Sequence, residues 1–246
     1  MVSVMRYFVW FAYDGTNYHG WQVQPSGNSV QAELQRALSL LMRQDIEVVG
    51  AGRTDAGVHA RHMAAHFDVE QQLDCQQTAY RLNRMLPRDI AVSRVEPVPD
   101  DMHARFSARA RTYHYYIYMR KDPFVRHFAW RVPYDLDYAK MNEAAAILLQ
   151  NDDFAAFCKT HTDVKTTICH VTEARWIQTS DHEWYFRITA NRFLRNMVRA
   201  VVGTLIDVGR GRTSLDEFRQ ILKSGNRSSA GESMPAHALF LEDVVY

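Results

Sequence analysis

The chain has 246 residues, of which 47% are hydrophobic and 23% charged, and its formal net charge is +1. This is the composition of an ordinary globular protein with enough apolar residues for a sizeable core, and it excludes a binder that recognises nucleic acid by excess positive charge alone. No apolar run approaches the roughly 18 residues of a membrane span, and the first apolar stretch is too short for a signal peptide, so no membrane partner is expected.

The cysteine pattern concerns the cellular compartment. Cys75, Cys158 and Cys169 are odd in number, widely spaced and contain no C-x-x-C pair. A disulfide framework and a thiolate zinc site are therefore not expected. A reducing cytoplasm is the predicted location.

Positive charge is concentrated in two stretches, which we call the first basic segment (residues 105–131) and the second basic segment (residues 187–212). Each contains a single acid, Asp122 in the first and Asp207 in the second, and aromatic residues are interleaved with the arginines. Arginines beside aromatic rings suit a surface that clamps phosphates and stacks bases. Two solvated or salt-bridged faces are the alternative. The candidate RNA-binding residues are Arg105, Arg109, Arg126, Arg192 and Arg195.

The first half of the chain predicts a compact α+β pattern. A strand of aromatic and β-branched residues runs from Met5 to Asp14, and a helix follows Asn28, which is a good N-cap residue. Apolar residues recur along this helix at helical spacing: Val30, Leu34, Leu38 and Leu41. Further strands are predicted over 46–49, 62–69 and 90–98, and a helix over 78–85. The order strand, helix, strand, strand, helix, strand is the ferredoxin-like pattern.

The second half predicts a similar arrangement. The predicted elements are a strand over 112–119, a helix over 138–149, a hairpin of strands over 171–179 and 183–190, helices over 192–208 and 214–223, and a strand over 239–245. We therefore expect an α+β fold with two ferredoxin-like-derived halves, antiparallel sheets and a cleft between the halves. The predicted domains are residues 1–106 and 107–246.

The segment from Gly50 to Ala60 carries the strongest chemical signal. Gly52 and Gly57 flank a short polar loop, and glycine lets backbone turn sharply or approach a ligand closely. Within this loop Asp55 lies between arginine and histidine side chains, and nearby positive charge keeps an aspartate ionised, as a nucleophile must be. The alternative is an ordinary turn in which the aspartate bonds its own backbone.

Three histidines, His59, His62 and His66, raise the question of a metal site. Their spacing of three and four residues is used by metal ligands on helices. The region alternates like a strand, however, which would place His62 and His66 about 13 Å apart at a rise near 3.3 Å per residue. No metal is therefore predicted.

The loop sequence Arg53-Thr-Asp-Ala-Gly-Val-His59 resembles the catalytic signature of the tRNA pseudouridine synthase A family. Further stretches similar to this family follow in order along the chain: residues 13–22, 29–31, 110–113, 193–204 and 235–244. The resemblance implies an enzyme that isomerises uridine to pseudouridine at positions 38, 39 and 40 of the tRNA anticodon stem-loop. It also implies a homodimer and no cofactor.

The resemblance also implies roles for individual residues. Asp55 is the catalytic aspartate and Arg199 its pairing partner, while Tyr113 stacks on the target base. Arg53 helps to hold the flipped nucleotide, and Leu239 packs against the other side of the base. From spacing alone, Arg199 would share a helix edge of about 60° with Arg192 and Arg195, which is equally typical of a solvated edge. A strand tyrosine is also commonly a core residue.

The carboxyl-terminal part departs from the family pattern. Met234-Pro235 stands where the family usually has Ala-Pro, and Ala238 stands where it has a glycine before the leucine. A methyl group at position 238 requires a backbone that accepts a β-carbon. Two other functions remain as alternatives: a noncatalytic RNA-binding protein on the same fold, and a metal-dependent hydrolase that uses the histidines.

Overall fold

The computed structural model describes residues 4–25, 27–159 and 165–246. These residues form two compact units. Unit 1 contains the described residues up to Arg109 together with Phe240–Tyr246, and unit 2 is Ala110–Leu239. The sequence-based domains differ from these units mainly at the carboxyl end, since residues 240–246 return to unit 1.

The protein has the predicted α+β architecture. Its strands are β1 (Met5–Tyr13), β2 (Val49–Gly50), β3 (His59–Val69), β4 (Ile90–Val98), β5 (Ala110–Tyr118), β6 (Trp130–Arg131), β7 (Val171–Ser180), β8 (Glu183–Ala190) and β9 (Leu239–Val245). Its helices are α1 (Val30–Met42), α2 (Cys75–Met85), α3 (Tyr138–Leu148), α4 (Met197–Gly209) and α5 (Leu215–Ser224). The α+β fold class is confirmed.

The sheet of unit 1 has β1 between β4 and β3, and both pairings are antiparallel. The short strand β2 lies antiparallel to β3, which gives the ferredoxin-like strand order β4-β1-β3-β2. At its other end β3 pairs with β9 in parallel, His59 opposite Phe240. The predicted strand over 46–49 is reduced to the two residues of β2, and the predicted antiparallel sheet includes this parallel pair.

Helix α1 begins one residue later than the sequence suggests. Ser29 is the N-cap, and its hydroxyl accepts a hydrogen bond from the backbone N–H of Ala32 at 3.2 Å. The Asn28 side chain instead donates to the Asn17 carbonyl at 2.7 Å. Asn28 therefore fastens the preceding loop rather than capping the helix.

The sheet of unit 2 has β8 between β5 and β7, with both pairings antiparallel, and β6 lies parallel to β5. The hairpin of β7 and β8 matches the prediction. At α5 the N-cap is Ser214, which forms a reciprocal capping box with Glu217. The helix ends at Gly225, which adopts a left-handed conformation with φ 61°.

The prediction of one helix over residues 192–208 was wrong at its start, since α4 begins only at Met197. Asn196 has a left-handed backbone with φ 66°, which a helix interior does not allow. The carbonyl of Arg195 accepts a hydrogen bond from Lys159 N–H at 3.1 Å. Arg192 and Arg195 therefore precede the helix, and the argument that they share a helix edge with Arg199 fails.

None of the helices in the described ranges is both long enough and apolar enough to cross a bilayer.

Candidate active site

The loop that contains Asp55, residues 51–58, connects β2 to β3 and is called the Asp55 loop. Asp55 is half-buried and its carbonyl accepts a hydrogen bond from Val58 N–H at 3.1 Å, which closes a tight turn. Gly57 has φ 76°, a conformation for which glycine is favoured. Arg53, two residues before Asp55, is exposed. A turn is therefore present, as in the alternative interpretation of the sequence, with Asp55 at its first position and the Asp55 carbonyl as the acceptor.

A second segment of unit 1, residues 13–21, wraps around the Asp55 loop and is called the cradle. The hydroxyls of Tyr13 and Thr54 form a buried hydrogen bond at 2.9 Å. The carbonyl of Thr54 accepts from Trp21 N–H at 3.4 Å, and Gly57 N–H donates to the Tyr18 carbonyl at 3.3 Å. The cradle therefore holds the backbone on both sides of Asp55.

Two glycines of the cradle permit this close packing. A β-carbon on Gly15 would lie 2.0 Å from the Val58 carbonyl oxygen, and one on Gly20 would lie 2.3 Å from the Thr54 carbonyl oxygen. Gly20 also has φ 93°. Any side chain at either position would push the Asp55 loop away from the cradle.

The start of β3 is anchored to the same segment through His59, whose side chain is fully buried. Its Nδ1 atom lies 3.0 Å from both the Gly15 backbone nitrogen and an Asp14 carboxylate oxygen. Partial burial acts to raise the pKa of Asp14, but hydrogen bonds from Thr16 and the nearby His59 lower it below its ordinary value. Asp14, the second residue of the cradle, is therefore ionised at neutral pH.

In unit 2 Arg199 lies in the amino-terminal half of α4, beside the segment that precedes β9. Arg199 is half-buried, and its Nε donates to the Met234 carbonyl at 2.5 Å, while Met234 N–H donates to the Arg199 carbonyl at 3.1 Å. The buried Tyr115 hydroxyl donates to the Pro235 carbonyl at 3.1 Å. The segment before β9 is therefore fastened to both α4 and β5 beside Arg199.

Tyr113 and Leu239, the residues expected to hold the base, are both largely buried within unit 2. The Tyr113 ring packs edge-to-face on Phe193, with ring centroids 5.1 Å apart. Tyr113 points to the same side of β5 as Tyr115, as expected from strand alternation.

The two departures from the family pattern fit the observed backbone. The segment containing Met234 lies close to α4, since a β-carbon on Gly203 would be 1.9 Å from the Glu232 carbonyl oxygen. Ala238 ends a short 3-10 helix and is buried; among the described non-glycine residues only Arg43 and Asn196 have positive φ. The backbone at position 238 therefore accepts a β-carbon.

The candidate RNA-binding arginines are mostly on the surface. Arg105, Arg109, Arg126 and Arg195 are exposed, and Arg192 is half-buried. Arg105 and Arg109 belong to unit 1, and the other three to unit 2. The first basic segment is therefore divided between the units.

The histidines do not assemble into a metal site in the described part of the chain, where no group of three metal-ligating side chains occurs. His66 accepts a hydrogen bond from Ala104 N–H at 3.1 Å through Nδ1. His62 packs its ring against Trp10 at 5.3 Å. These imidazoles serve hydrogen bonding and packing in unit 1.

Four residues that support the Asp55 loop were not predicted from the sequence: Tyr13, Gly15, Gly20 and Thr54. The signal for Tyr13, Gly15 and Gly20 was the density of glycine, aspartate and aromatic residues between Tyr13 and Trp21, which is unusual for a simple turn. Only the folded chain shows that this segment touches the Asp55 loop.

The chain was compared with known proteins. The model of the family described as tRNA pseudouridine synthase matches residues 10–107 and 144–246. Proteins named tRNA pseudouridine synthase A from Bacteroides fragilis and Bacillus subtilis are 56% and 42% identical to it, each over 246 residues. These alignments cover 100% and 98% of this chain, and 98% and 99% of the relatives. The resemblance seen in the sequence is confirmed, and the chain belongs to the tRNA pseudouridine synthase family.

Proposed function

We propose that this enzyme isomerises uridine to pseudouridine at positions 38, 39 and 40 of the tRNA anticodon stem-loop, with Asp55 as the catalytic carboxylate. The observation that carries the proposal is the clamped turn, which fixes the backbone of the half-buried Asp55 between two glycines in a chain that matches the family along its length. An ordinary surface turn needs no such clamp on both sides.

The reaction conserves every atom of the nucleotide. The bond from the sugar carbon C1′ to uracil N1 breaks, the uracil turns, and a C1′–C5 bond forms. The proton that leaves C5 is balanced by one that N1 gains. A carboxylate is suited to this chemistry because it can attack the sugar or the base, or remove a sugar proton. No redox step or phosphate activation is required, so the proposal includes no cofactor.

The other site residues are proposed to hold the carboxylate and the base. Arg199 pairs with Asp55, since a planar guanidinium bonds two carboxylate oxygens and remains charged in a partly dry cleft. Tyr113 stacks on the target uracil and Leu239 packs on its other face. Arg53 is exposed on the Asp55 loop, where it can hold the flipped nucleotide.

The tRNA itself is proposed to be held through its phosphates and shape. Arg105, Arg109, Arg126, Arg192 and Arg195 are the candidates for these contacts. Four of the five are exposed, as a phosphate contact requires. The homodimer and the cytoplasmic location implied by the resemblance are part of the same proposal, and light scattering of the purified protein tests the dimer.

The decisive experiment uses purified protein and an unmodified tRNA transcript with uridines at positions 38, 39 and 40. Pseudouridine is mapped by chemical modification and primer extension, with Asp55→Asn as the matched control. Product at these positions with the wild type alone supports the proposal. Product elsewhere in the tRNA would overturn the assigned positions, and equal product from the variant would overturn the role of Asp55.

A further inference from the structure

Phe106 is the most exposed large hydrophobic residue in the described part of unit 1. Its side chain is 75% exposed, although burial of a phenyl ring is normally favourable. The inner face of the ring packs on His103, with centroids 4.4 Å apart and planes inclined by 37°. One face of the Phe106 ring is therefore packed against His103, and the rest of the ring is exposed to solvent.

The backbone that carries Phe106 is fixed by hydrogen bonds. The Nδ1 atom of His103 accepts from the backbone N–H groups of both Arg105 and Phe106, at 3.1 and 3.2 Å. His103 N–H donates to the Ser107 hydroxyl, and Ser107 N–H donates to the His103 carbonyl, each at 2.9 Å. Residues 103–107 therefore form a closed turn, and the exposed ring is not on a freely moving loop.

This turn is anchored on the core of unit 1. Ala104 is fully buried; its N–H donates to His66 at 3.1 Å and its carbonyl accepts from the Tyr246 hydroxyl at 2.6 Å. The rings of His66 and His103 lie 4.6 Å apart, and Phe8 packs behind His66. A column of rings therefore connects Phe106 to the β-sheet.

The imidazoles of His66 and His103 both accept hydrogen bonds through Nδ1. Each is therefore neutral and carries its proton on Nε2. Burial and the neighbouring Arg6 and His103 lower the pKa of His66 to about 4, with Asp68 opposing. Burial, Arg6 and Arg105 likewise lower the pKa of His103, against its own backbone hydrogen bond. The column therefore keeps its arrangement at neutral pH.

The charge beside the ring identifies a partner. The Arg105 guanidinium carbon lies 5.5 Å from the centre of the Phe106 ring. A rigid, exposed aromatic ring next to an arginine is the arrangement that stacks a nucleobase and contacts its phosphate. A single ring flanked by Arg105 and Ser107 offers little apolar area for a protein interface.

We propose that Phe106 is a stacking platform for an unpaired nucleobase of the substrate tRNA, with Arg105 contacting the adjacent phosphate. This proposal rests on the proposed function, because it takes tRNA as the substrate. It adds a base contact in unit 1 that is separate from the Asp55 loop and from Tyr113. Its role is substrate binding, so it acts on affinity rather than on the chemical step.

The test measures the tRNA dissociation constant and the single-turnover rate at saturating enzyme for two variants. Phe106→Leu removes the ring and should raise Kd roughly 5- to 100-fold, since stacking of one base contributes a few kcal/mol at most. Phe106→Tyr keeps the ring and should leave Kd within about two-fold of the wild type. Tyr80→Leu is the matched control, because Tyr80 is an exposed ring on α2, outside both basic segments.

A photochemical cross-link between tRNA and the wild-type protein, mapped to the peptide that contains Phe106, supports the proposal directly. An unchanged Kd for Phe106→Leu, or a Kd rise in Phe106→Tyr equal to that in Phe106→Leu, overturns it. A changed oligomeric state with unchanged tRNA affinity overturns it in favour of a contact between two chains. The measurement of Kd does not depend on turnover. If the protein bound tRNA but formed no pseudouridine, the proposed function would be refuted, and the Kd values of the Phe106 variants would still test the stacking proposal.

Discussion

The hydroxyl of Tyr13 lies 2.9 Å from the hydroxyl of Thr54, and both side chains are buried. Tyr13 is the last residue of β1, and Thr54 immediately precedes Asp55. The hydrogen bond therefore connects the central strand of unit 1 to the turn that contains Asp55. Because the Thr54 carbonyl is also held by Trp21 N–H, the orientation of the peptide leading into Asp55 is determined by the cradle.

We predict that Tyr13→Phe lowers the single-turnover rate by about 10- to 100-fold with little change in tRNA affinity, because small displacements of a catalytic group are costly. Thr54→Val removes the other hydroxyl and should have a similar effect. The double variant should be no slower than the slower single variant, since both changes break the same hydrogen bond. The rate is measured at saturating enzyme and Kd by filter binding.

Tyr7→Phe is the control for a general loss of stability. Tyr7 lies on the same strand and is equally buried, and its hydroxyl accepts Leu73 N–H at 3.0 Å, away from the Asp55 loop. It should lose stability comparably but keep its rate. If Tyr7→Phe slows the reaction as much as Tyr13→Phe does, the Tyr13–Thr54 pair does not position Asp55.

For Asp55 itself, we predict that Asp55→Asn loses at least about 10³-fold in rate while keeping its fold and tRNA affinity, as expected when an essential chemical group is removed. Asparagine has nearly the same shape but no charge, so it cannot act as a nucleophile or base. The measurements are single-turnover product formation, Kd and thermal unfolding. Near-normal turnover by this variant would return Asp55 to the role of an ordinary turn residue.

Much of the fold could be predicted from the sequence because local patterns determine its elements. Alternating apolar residues marked β3 and the β7–β8 hairpin correctly, and the split α+β order followed. The start of α4 could not be predicted, because apolar spacing continues through Leu194 into the helix. The helix does not extend to residues before Met197 because Asn196 has a left-handed backbone and the Arg195 carbonyl accepts a hydrogen bond from Lys159 N–H. This hydrogen bond joins distant parts of the chain.

The roles of the site residues remain predictions. Short motifs single out Asp55, Arg53 and Arg199 as candidates, and the structure shows that Asp55 begins a tight turn. The pairing of Tyr13 with Thr54 was not predictable, since these residues are 41 positions apart and neither has a periodicity that indicates contact. The exposure of Phe106 was equally hidden, because its supporting histidines and Tyr246 lie in three different segments.

The ring column leads to a prediction about pH. The folded-state pKa of His66 is about 4, below the ordinary value of about 6.5 in an unfolded chain. The unfolded chain therefore binds this proton more readily, so the stability that depends on neutral His66 is complete above about pH 6.5 and declines as the pH falls toward 4. His66→Asn keeps a hydrogen-bond acceptor but does not titrate.

The free energies of unfolding of the wild type and His66→Asn should therefore converge as the pH is lowered from neutral to about 4. Urea unfolding at several pH values measures this difference, and all other titrating groups are common to both proteins. A difference that stays constant across this range would show that His66 has no lowered pKa in the folded protein.

Contacts between arginines and phosphates predict a dependence on salt. Neutralising one phosphate-contacting arginine, for example Arg126→Gln or Arg195→Gln, should reduce the slope of log Kd against log salt concentration by about one, since fewer counterions are released. Arg36→Gln on α1 is the control, because Arg36 is exposed and pairs with Glu33 at 2.9 Å. Equal slopes for all three variants and the wild type would contradict a phosphate-binding role of Arg126 and Arg195.

The final prediction concerns Arg199. Arg199→Ala should lower the single-turnover rate by about 10²- to 10³-fold with little change in Kd, because it removes charge that stabilises the reacting centre. Arg199→Lys keeps the charge without the planar fork and should recover part of the rate. Arg219→Ala on α5 is a matched control, since this exposed arginine pairs only with Asp216 among the contacts described for its side chain.

Arg199 also donates to the Met234 carbonyl, so loss of the side chain affects the segment before β9 as well. Added guanidinium separates the two effects. If Arg199 acts on Asp55, guanidinium ion should restore part of the rate of Arg199→Ala in a saturable manner and leave Arg219→Ala unchanged. A rise in Kd with an unchanged rate at saturating enzyme would instead place Arg199 on the RNA-binding surface, because a phosphate contact alters affinity and leaves the chemical step intact.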